Sequence, residues 1–544
     1  MAEKKFVVDT NWCITLDKVD EKFYPEIIKN EAQIAEWREM YAIHEIEGNL
    51  TTVGYSEPLT VEFLRQNKNL VLDTRYFSTD FKERLIAGMD NLDEQTDGLL
   101  IHSENFQALK LLLEKYRERI KCVYIDPPYN TKNNEIMYKN GYKDSSWLSL
   151  MDSRLSILKN FLFDRSVLVI AIDKVEQAKL SELLEIIFPG KEKTIITIQH
   201  NPTGQMGDNF AESNQFAYFI YNKIKNIIGM EYRSMEDADT RTFRDNSGNN
   251  NLRTDAANCF YPIFVRNGKI VGFGDVCPDD YHPKRNELLA DGTIAVFPID
   301  KNGIEKKWVF ERGTVESILN ELWVKTDDSG EIDIMRTKSI FRYKTIWTDK
   351  KYSDNSWGSA VLTNLGIPFS YPKSIYTVID SVRAALSDEK HGFVLDYFAG
   401  SGTTGHAVIN LNREDGGNRK YILVEMGEYF YTATLPRVKK VIYSDDWKKG
   451  KPQNRNTGVS HIIKYISLES YEDTLSNIEL DDDKHQLAIK LGDEYMIHYM
   501  FDYEAKDSML SLDAFNAPFP ISLKSLKTTK RNLRLLTYAR HSII

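Results

Sequence analysis

The chain has 544 residues, 42% of them hydrophobic and 28% charged, ordinary values for a globular protein with room for about two to four domains. No apolar run approaches the roughly 18 residues of a membrane span, and the opening MAEKKFVVDTNW lacks the apolar core and cleavage site of a signal peptide. No membrane partner is therefore expected, and a cytoplasmic location is. Four scattered cysteines (Cys13, Cys122, Cys259, Cys277) argue against a disulfide framework or a metal site, and a net charge of −10 means that a nucleic-acid partner would have to meet a local basic surface.

Residues 1–95 form a mixed, charged N-terminal region in which EAQIAEWREMY (31–41) and DFKERLIAGM (80–89) read as helices and no chemistry is evident. The pattern sharpens at LLIHSENFQALKLLLEKYRERI. This reads as a strand, a turn capped by Ser103, and a helix with the stripe Phe106, Leu109, Leu113, Tyr116 and Ile120. Cys122, Val123, Tyr124 and Ile125 then read as a buried strand that Pro127 and Pro128 break at once, leaving Asp126 at its end and Tyr129 just beyond. SWLSLMDSRLSILKNFL follows as a helix, SVLVIAI as a strand, VEQAKLSELLEIIF as a helix and KTIITIQH as a strand. Such alternation belongs to a parallel sheet covered on both faces.

The rhythm stops between 225 and 345, a segment of turn clusters and short alternating strands rich in Asn, Arg and aromatics, with a helix expected only at ESILNELW. It reads as an inserted module, in which Arg253 and Arg266 are as well suited to holding structure as to reaching a partner. After 365 the rhythm returns: KSIYTVIDSVRAAL is a helix, GFVLDYF a strand, TTGHAVINLN a helix and KYILVE a strand. Residues 437–455 gather Arg437, Lys439, Lys440, Lys448, Lys449, Lys451 and Arg455 around Trp447, equally readable as a solvated linker or as a phosphate-contacting patch. An acidic run at 479–483 and a basic ending mark the C-terminal region.

Two stretches carry chemistry. In VLDYFAGSGTTGHAVINL a strand enters a glycine turn that opens a helix, so backbone can approach a ligand closely at a helix N-terminus. The turn lacks a full GxGxxG and the GKS or GKT of a phosphate loop, which weighs against NAD and ATP. Glu425 ends the next strand about twenty residues on, where an acid meets ribose hydroxyls. The reading is a nucleoside pocket without a pyrophosphate cradle, which suits S-adenosylmethionine. DPPY then gains a task. Two acceptors, the Asp126 carboxylate and the Pro127 carbonyl, would draw the lone pair of a base amine out of conjugation, while Tyr129 stacks on a base swung out of the duplex.

DPPY followed by FAGSGTT resembles the amino-DNA methyltransferases. The order of the two motifs resembles the β group, as does FSYPKS (369–374), similar to a segment that closes over the cofactor there. IHSENFQALKLL, DPPYNT, FYPIFV, GGNRKYILVE and SLESYEDTL resemble the modification (Mod) subunits of type III restriction–modification systems. The resemblance implies an α/β, Rossmann-like S-adenosylmethionine-dependent methyltransferase core with an inserted target-recognition domain and extra N- and C-terminal regions. The catalytic half would span 96–224, target recognition 225–345, the cofactor half 346–445, and dimer or partner docking 446–544. It implies catalysis by Asp126, Pro127, Pro128 and Tyr129, and cofactor binding by Asp396, Phe398, Ala399, Gly400, Ser401, Gly402, Thr403 and Glu425, with Lys373, Ser374, His102 and Asn105. It further implies adenine-N6 methylation of double-stranded DNA, a homodimer, and an ATP-dependent restriction (Res) subunit as partner. A stand-alone enzyme, or cytosine-N4 as target, are the alternatives within the class. A dinucleotide-dependent oxidoreductase gives DPPY no task, and an intact DPPY argues against a non-catalytic DNA-binding subunit. The last residues, KRNLRLLTYARHSII, depart from the family pattern.

Overall fold

The computed structural model describes residues 7–129, 143–206, 209–233, 238–246, 248–387 and 389–469. The acidic run and the basic ending lie outside the described residues, as do Asn130 and Thr131 of DPPYNT. The chain forms two compact units: Met1–Gly229 with Lys344–Ile544, and Met230–Tyr343.

The first unit is built on one sheet of eleven strands. In chain order these are β1 (Val7–Thr15), β2 (Val71–Asp73), β3 (Gly98–His102), β4 (Ile120–Ile125), β5 (Leu162–Ile172), β6 (Glu192–Ile198), β7 (Gln215–Tyr221), β8 (Ile346–Trp347), β9 (His391–Asp396), β10 (Asn418–Glu425) and β11 (Ile462–Leu468). Their spatial order is β8-β6-β7-β5-β4-β9-β10-β3-β11-β1-β2. The run from β5 to β11 is parallel, whereas β7 and β1 are antiparallel to their neighbours. Every residue of β4 is buried, as a strand covered on both faces requires. Its alternation separates two cores: Val123 and Ile125 pack with the helices α3 (Asn105–Tyr116), α4 (Lys143–Leu158) and α5 (Lys174–Ile187), and Cys122 and Tyr124 point away from them. The helices α6 (Ile375–Leu386) and α7 (Thr403–Asp415) pack on each other, α6 also against β4 and β5. Three further helices are α1 (Glu31–Tyr41), α2 (Thr79–Ala87) and α8 (Leu435–Tyr443), of which α1 and α8 meet each other.

Several local expectations need correcting. The cap of α3 is Glu104, whose carboxylate accepts from the Phe106 and Gln107 amides, because its longer side chain reaches the first turn while Ser103 stays on the strand side. Ile120 belongs to β4, since α3 ends at Tyr116.

The second unit consists of small antiparallel sheets, one with Lys269–Phe273, Ile263–Arg266, Ile294–Val296 and Asn286–Leu288 side by side. Phe243, Tyr261, Ile263, Val265, Trp308 and Ile334 are among its core residues. The helix expected at ESILNELW is a 3-10 stretch, Val315–Glu321, broken at Ile318 and followed by the strand Leu322–Thr326. Two turns are too few to sustain a helix when β-branched and aromatic residues follow. Arg253 is structural: its guanidinium donates to the Tyr281, Cys277 and Pro278 carbonyls, pairs with Glu305 at 3.0 Å and stacks on Phe260. Among the described residues, no helix is long and apolar enough to cross a membrane, and no group of three His, Cys, Asp or Glu side chains could hold a metal ion. All four cysteines are free.

Candidate active site

Four parallel strands bring the motifs to one edge of the sheet. β9 pairs with β4 on one side and β10 on the other, and β10 pairs with β3, so Asp126, Asp396, Glu425 and His102 all stand at neighbouring strand ends. Carboxyl ends of parallel strands are where such sheets bind ligands.

The glycine loop leaves β9 in a shape fixed from three sides. Asp396, 3% exposed, accepts from the Phe398 amide at 3.0 Å and from the Thr404 hydroxyl at 2.5 Å. Burial pushes its carboxyl up to about 7; those hydrogen bonds pull it back, and the Asp126 and Glu425 carboxylates push it further. Gly400 and Gly402 have φ of 53° and 80°, the left-handed region that glycine adopts without strain. The Gly400 amide donates to Glu425 Oε2 at 2.8 Å, its carbonyl accepts from the Thr434 hydroxyl at 2.6 Å, and Glu425 Oε1 accepts from the Met426 and Gly427 amides at 2.9 Å each. Ala399 ties back to β10 through its amide, and Phe398 packs beside Tyr397 on the core. Beneath the loop, Arg437 Nη1 donates to Ser401 Oγ at 2.7 Å and Thr403 Oγ1 at 2.8 Å. Among the described residues no carboxylate pairs with this guanidinium, and burial pulls it down to about 9. A Cβ on Gly400 would meet the Phe369 ring at 3.6 Å, and Phe369 stands edge-on to Tyr429.

At the end of β4, the Tyr129 hydroxyl donates to Asp126 Oδ1, and Lys373 Nζ lies 3.8 Å from that oxygen and 4.7 Å from the centroid of the Tyr129 ring. Lys373 also donates to Gln215 Oε1. Burial raises the Asp126 pKa; the Lys373 ammonium opposes it most strongly, the Tyr129 hydroxyl helps, and Asp354 pushes the same way as burial. Pro127 is buried, and the Pro128 carbonyl accepts from Trp147 Nε1 at 2.7 Å, a bond that braces the turn from the fully buried α4 indole.

The other expected residues take supporting places. Ser374 is fully buried at the cap of α6, where its hydroxyl donates to the Lys351 carbonyl and its amide donates to Asp354, so its polar groups are engaged within the framework. Asn105 donates to the Tyr397 carbonyl and accepts from Arg154. His102 stacks on Phe430, with its Nε2 3.2 Å from the Met426 carbonyl. Lys373 sits at the DPPY turn instead of the glycine loop. In the basic cluster, Arg437, Lys439 and Lys440 are buried and bonded inside the unit, because α8 turns them inward; they offer no phosphate contact. Sequence reasoning missed Gln215, Trp147 and Asp354, for which no local signal stood out, and it read Arg437 as part of the basic cluster instead of a support beneath the glycine loop. Phe369 had a signal as the first residue of FSYPKS.

Among curated relatives, the type II methyltransferase M.KpnI of Klebsiella pneumoniae is 28% identical over 375 residues, covering 64% of this chain and 84% of its own length. The EcoPI Mod subunit of Escherichia phage P1 is 26% identical over 405 residues (62% of this chain, 58% of its own), and the EcoP15I Mod subunit of Escherichia coli 25% over 398 residues (62% and 59%); both are type III restriction–modification enzymes. The chain thus spans less than two thirds of these two relatives. Among solved structures, the M1.HpyAVI–SAM complex matches at 13% identity and TM-score 0.30, covering 62% of this chain and 98% of that one. PvuII DNA methyltransferase (cytosine-N4-specific) matches at 12% and 0.32, covering 63% and 86%. Residues 120–435 match the N6/N4 DNA methylase model, a span that runs from the start of β4 through the inserted unit and the glycine loop to α8, and the chain belongs to that DNA methylase family.

Proposed function

We propose that this enzyme methylates N6 of an adenine flipped out of double-stranded DNA, with S-adenosylmethionine as donor. The observation that carries the reading is the meeting of DPPY and the glycine loop on adjacent strand ends. The residues present suit the cofactor. Gly400 keeps side-chain atoms off the loop, the start of α7 and the buried Arg437 guanidinium beneath it favour a carboxylate, and Glu425 at the end of β10 beside the loop is the acid this reading assigns to the ribose. When bound, the cofactor supplies an electrophilic methyl on sulfur. Asp126 accepts from the exocyclic amine and Pro127 offers a second acceptor, so the nitrogen lone pair leaves the ring and can attack. Tyr129 stacks on the base, and Trp147 keeps the turn from yielding.

The unit Met230–Tyr343 reads the target in this proposal, and Arg241 and Arg266, the arginines of its exposed ion pairs with Asp239 and Asp291, are candidates for doing so. The Mod relatives support a modification subunit of a type III system; in this proposal it pairs as a homodimer and recruits an ATP-dependent restriction subunit, working on DNA in the cytoplasm. The likeness to M.KpnI over most of its length supports the second reading, a methyltransferase that acts without that partner. Strand-resolved methylation mapping of DNA from cells expressing the chain tests both base and context. N6-methyladenine on one strand of a short non-palindromic sequence is expected. A palindromic site returns the stand-alone reading, and N4-methylcytosine refutes the adenine assignment.

A further inference from the structure

The segment from Phe369 to Lys373 joins the two halves of the site, with Phe369 against Gly400 and Lys373 at Asp126. Its end is pinned. Ser374 is tied through its amide to Asp354 and through its hydroxyl to Lys351, and a Cβ on Gly358 would lie 2.5 Å from the Pro372 carbonyl oxygen, so the segment rests on bare backbone. From this fixed base the Lys373 side chain, 10% exposed, reaches three partners at once: the Asp126 carboxylate, the face of Tyr129 and the Gln215 amide. Gln215 is itself 3% exposed at the start of β7, whose antiparallel course brings it to the same edge, and its Nε2 finds no partner among the described residues.

We propose that Lys373, held by Gln215, is the positioning residue of the catalytic turn, keeping Asp126 ionised and Tyr129 in place, and that it does not hold the cofactor. The proposal rests on Asp126 being the acceptor of the base amine. A carboxyl that carries a proton has surrendered acceptor capacity to it. Asp126 is faced by Tyr129, by the buried Tyr124, by Asp354 and by Asp396, and Lys373 is the cation among the groups acting on it. Burial and the Asp354 carboxylate favour the proton; the ammonium at 3.8 Å opposes it.

The test is the pH dependence of single-turnover methyl transfer from tritiated S-adenosylmethionine to whole-genome-amplified bacterial DNA, whose adenine and cytosine amines are unmethylated. Activity needs the carboxylate, so the rate falls as pH drops through the Asp126 pKa. Lys373→Met should move that acid limb upward by about 1–3 pH units, and Lys373→Arg should hold it near wild type. Affinity for S-adenosylmethionine, read by calorimetry, should stay within about threefold in both. If Lys373→Met turns over too slowly to profile, Gln215→Glu reads the same interaction, since a carboxylate there competes for the ammonium and also lifts the limb. An unmoved limb in the variant profiled overturns the proposal, as does a tenfold loss of cofactor affinity in Lys373→Met. An Asp126→Ala enzyme of full activity would remove the underlying reading instead, and so separates the two failures.

Discussion

In the proposed reaction Asp126 has to be dry enough to bind a base amine tightly and still be an anion, and different neighbours meet the two demands. Burial supplies the first at a cost in pKa, and Lys373 and the Tyr129 hydroxyl restore the second. Asp126→Ala should therefore lower methyl transfer by about 10²–10⁴-fold with cofactor affinity nearly unchanged, because the carboxylate serves the base. A variant retaining more than about a tenth of the wild-type rate would take that role from Asp126. Tyr129→Ala should lose stacking and rate together. Tyr129→Phe keeps the ring and loses the bond to Asp126, so it should be milder, with its acid limb displaced upward; equal losses would place the contribution in the hydroxyl. The identities of these residues were legible in DPPY because prolines after a buried strand force a break with the aspartate at its lip. The roles of Ser401, Thr403 and Asn105 were not, since their partners Arg437 and Arg154 come from distant helices and no local spacing announces them.

The strands and helices that flank the site were legible for a physical reason: buried parallel strands read as continuous apolar runs and their helices as amphipathic ones. The elements that escaped carry the wrong signal locally. β1 runs VVDTNWCIT and buries Asn11 and Thr15, which are satisfied by Lys82 and by the main chain around His461, so its polar residues hide a strand paired on both sides. The strand β7 follows no helix and runs antiparallel, outside the rhythm that found the others. The glycine loop shows how an element sets a requirement that composition alone cannot. A side chain at Gly400 must adopt φ near 53°, at a cost of about 1–2 kcal/mol, and a branched one also crowds Phe369. Gly400→Val should abolish measurable S-adenosylmethionine binding while the far-ultraviolet spectrum stays unchanged. Calorimetry showing wild-type affinity would remove the loop from the cofactor pocket.

At the scale of the whole unit, the N-terminal region is part of the same sheet as the catalytic core, and a buried charge cluster fastens it there. Lys439 on α8 pairs with Glu36 on α1 and, at 3.0 Å, with Asp73 at the end of β2; Arg75 and the Tyr465 hydroxyl also bind Asp73. Because α8 also carries Arg437 under the glycine loop, the cluster holds the support of that loop. Removing one member of such a group leaves the others buried and uncompensated, so Lys439→Met should cost about 3–5 kcal/mol, although methionine fills much of the space. The pH dependence separates this cause from lost packing. The Asp73 pKa is lowered in the folded chain, chiefly by Lys439 and Arg75 working against burial, so its contribution is present above the ordinary carboxylate range and is lost as pH falls through the folded value. The Lys439 pKa is raised well above its ordinary value, so its contribution is present below the unfolded pKa and is lost only as pH rises through the folded one. Wild-type stability from this cluster should then be flat between about pH 5 and 9. In Lys439→Met the Asp73 carboxylate gains by taking up a proton, so the deficit should be greatest near neutrality and shrink toward about pH 4. Denaturant titrations of both proteins across that range give the comparison, and a deficit independent of pH would assign the loss to packing and not to charge.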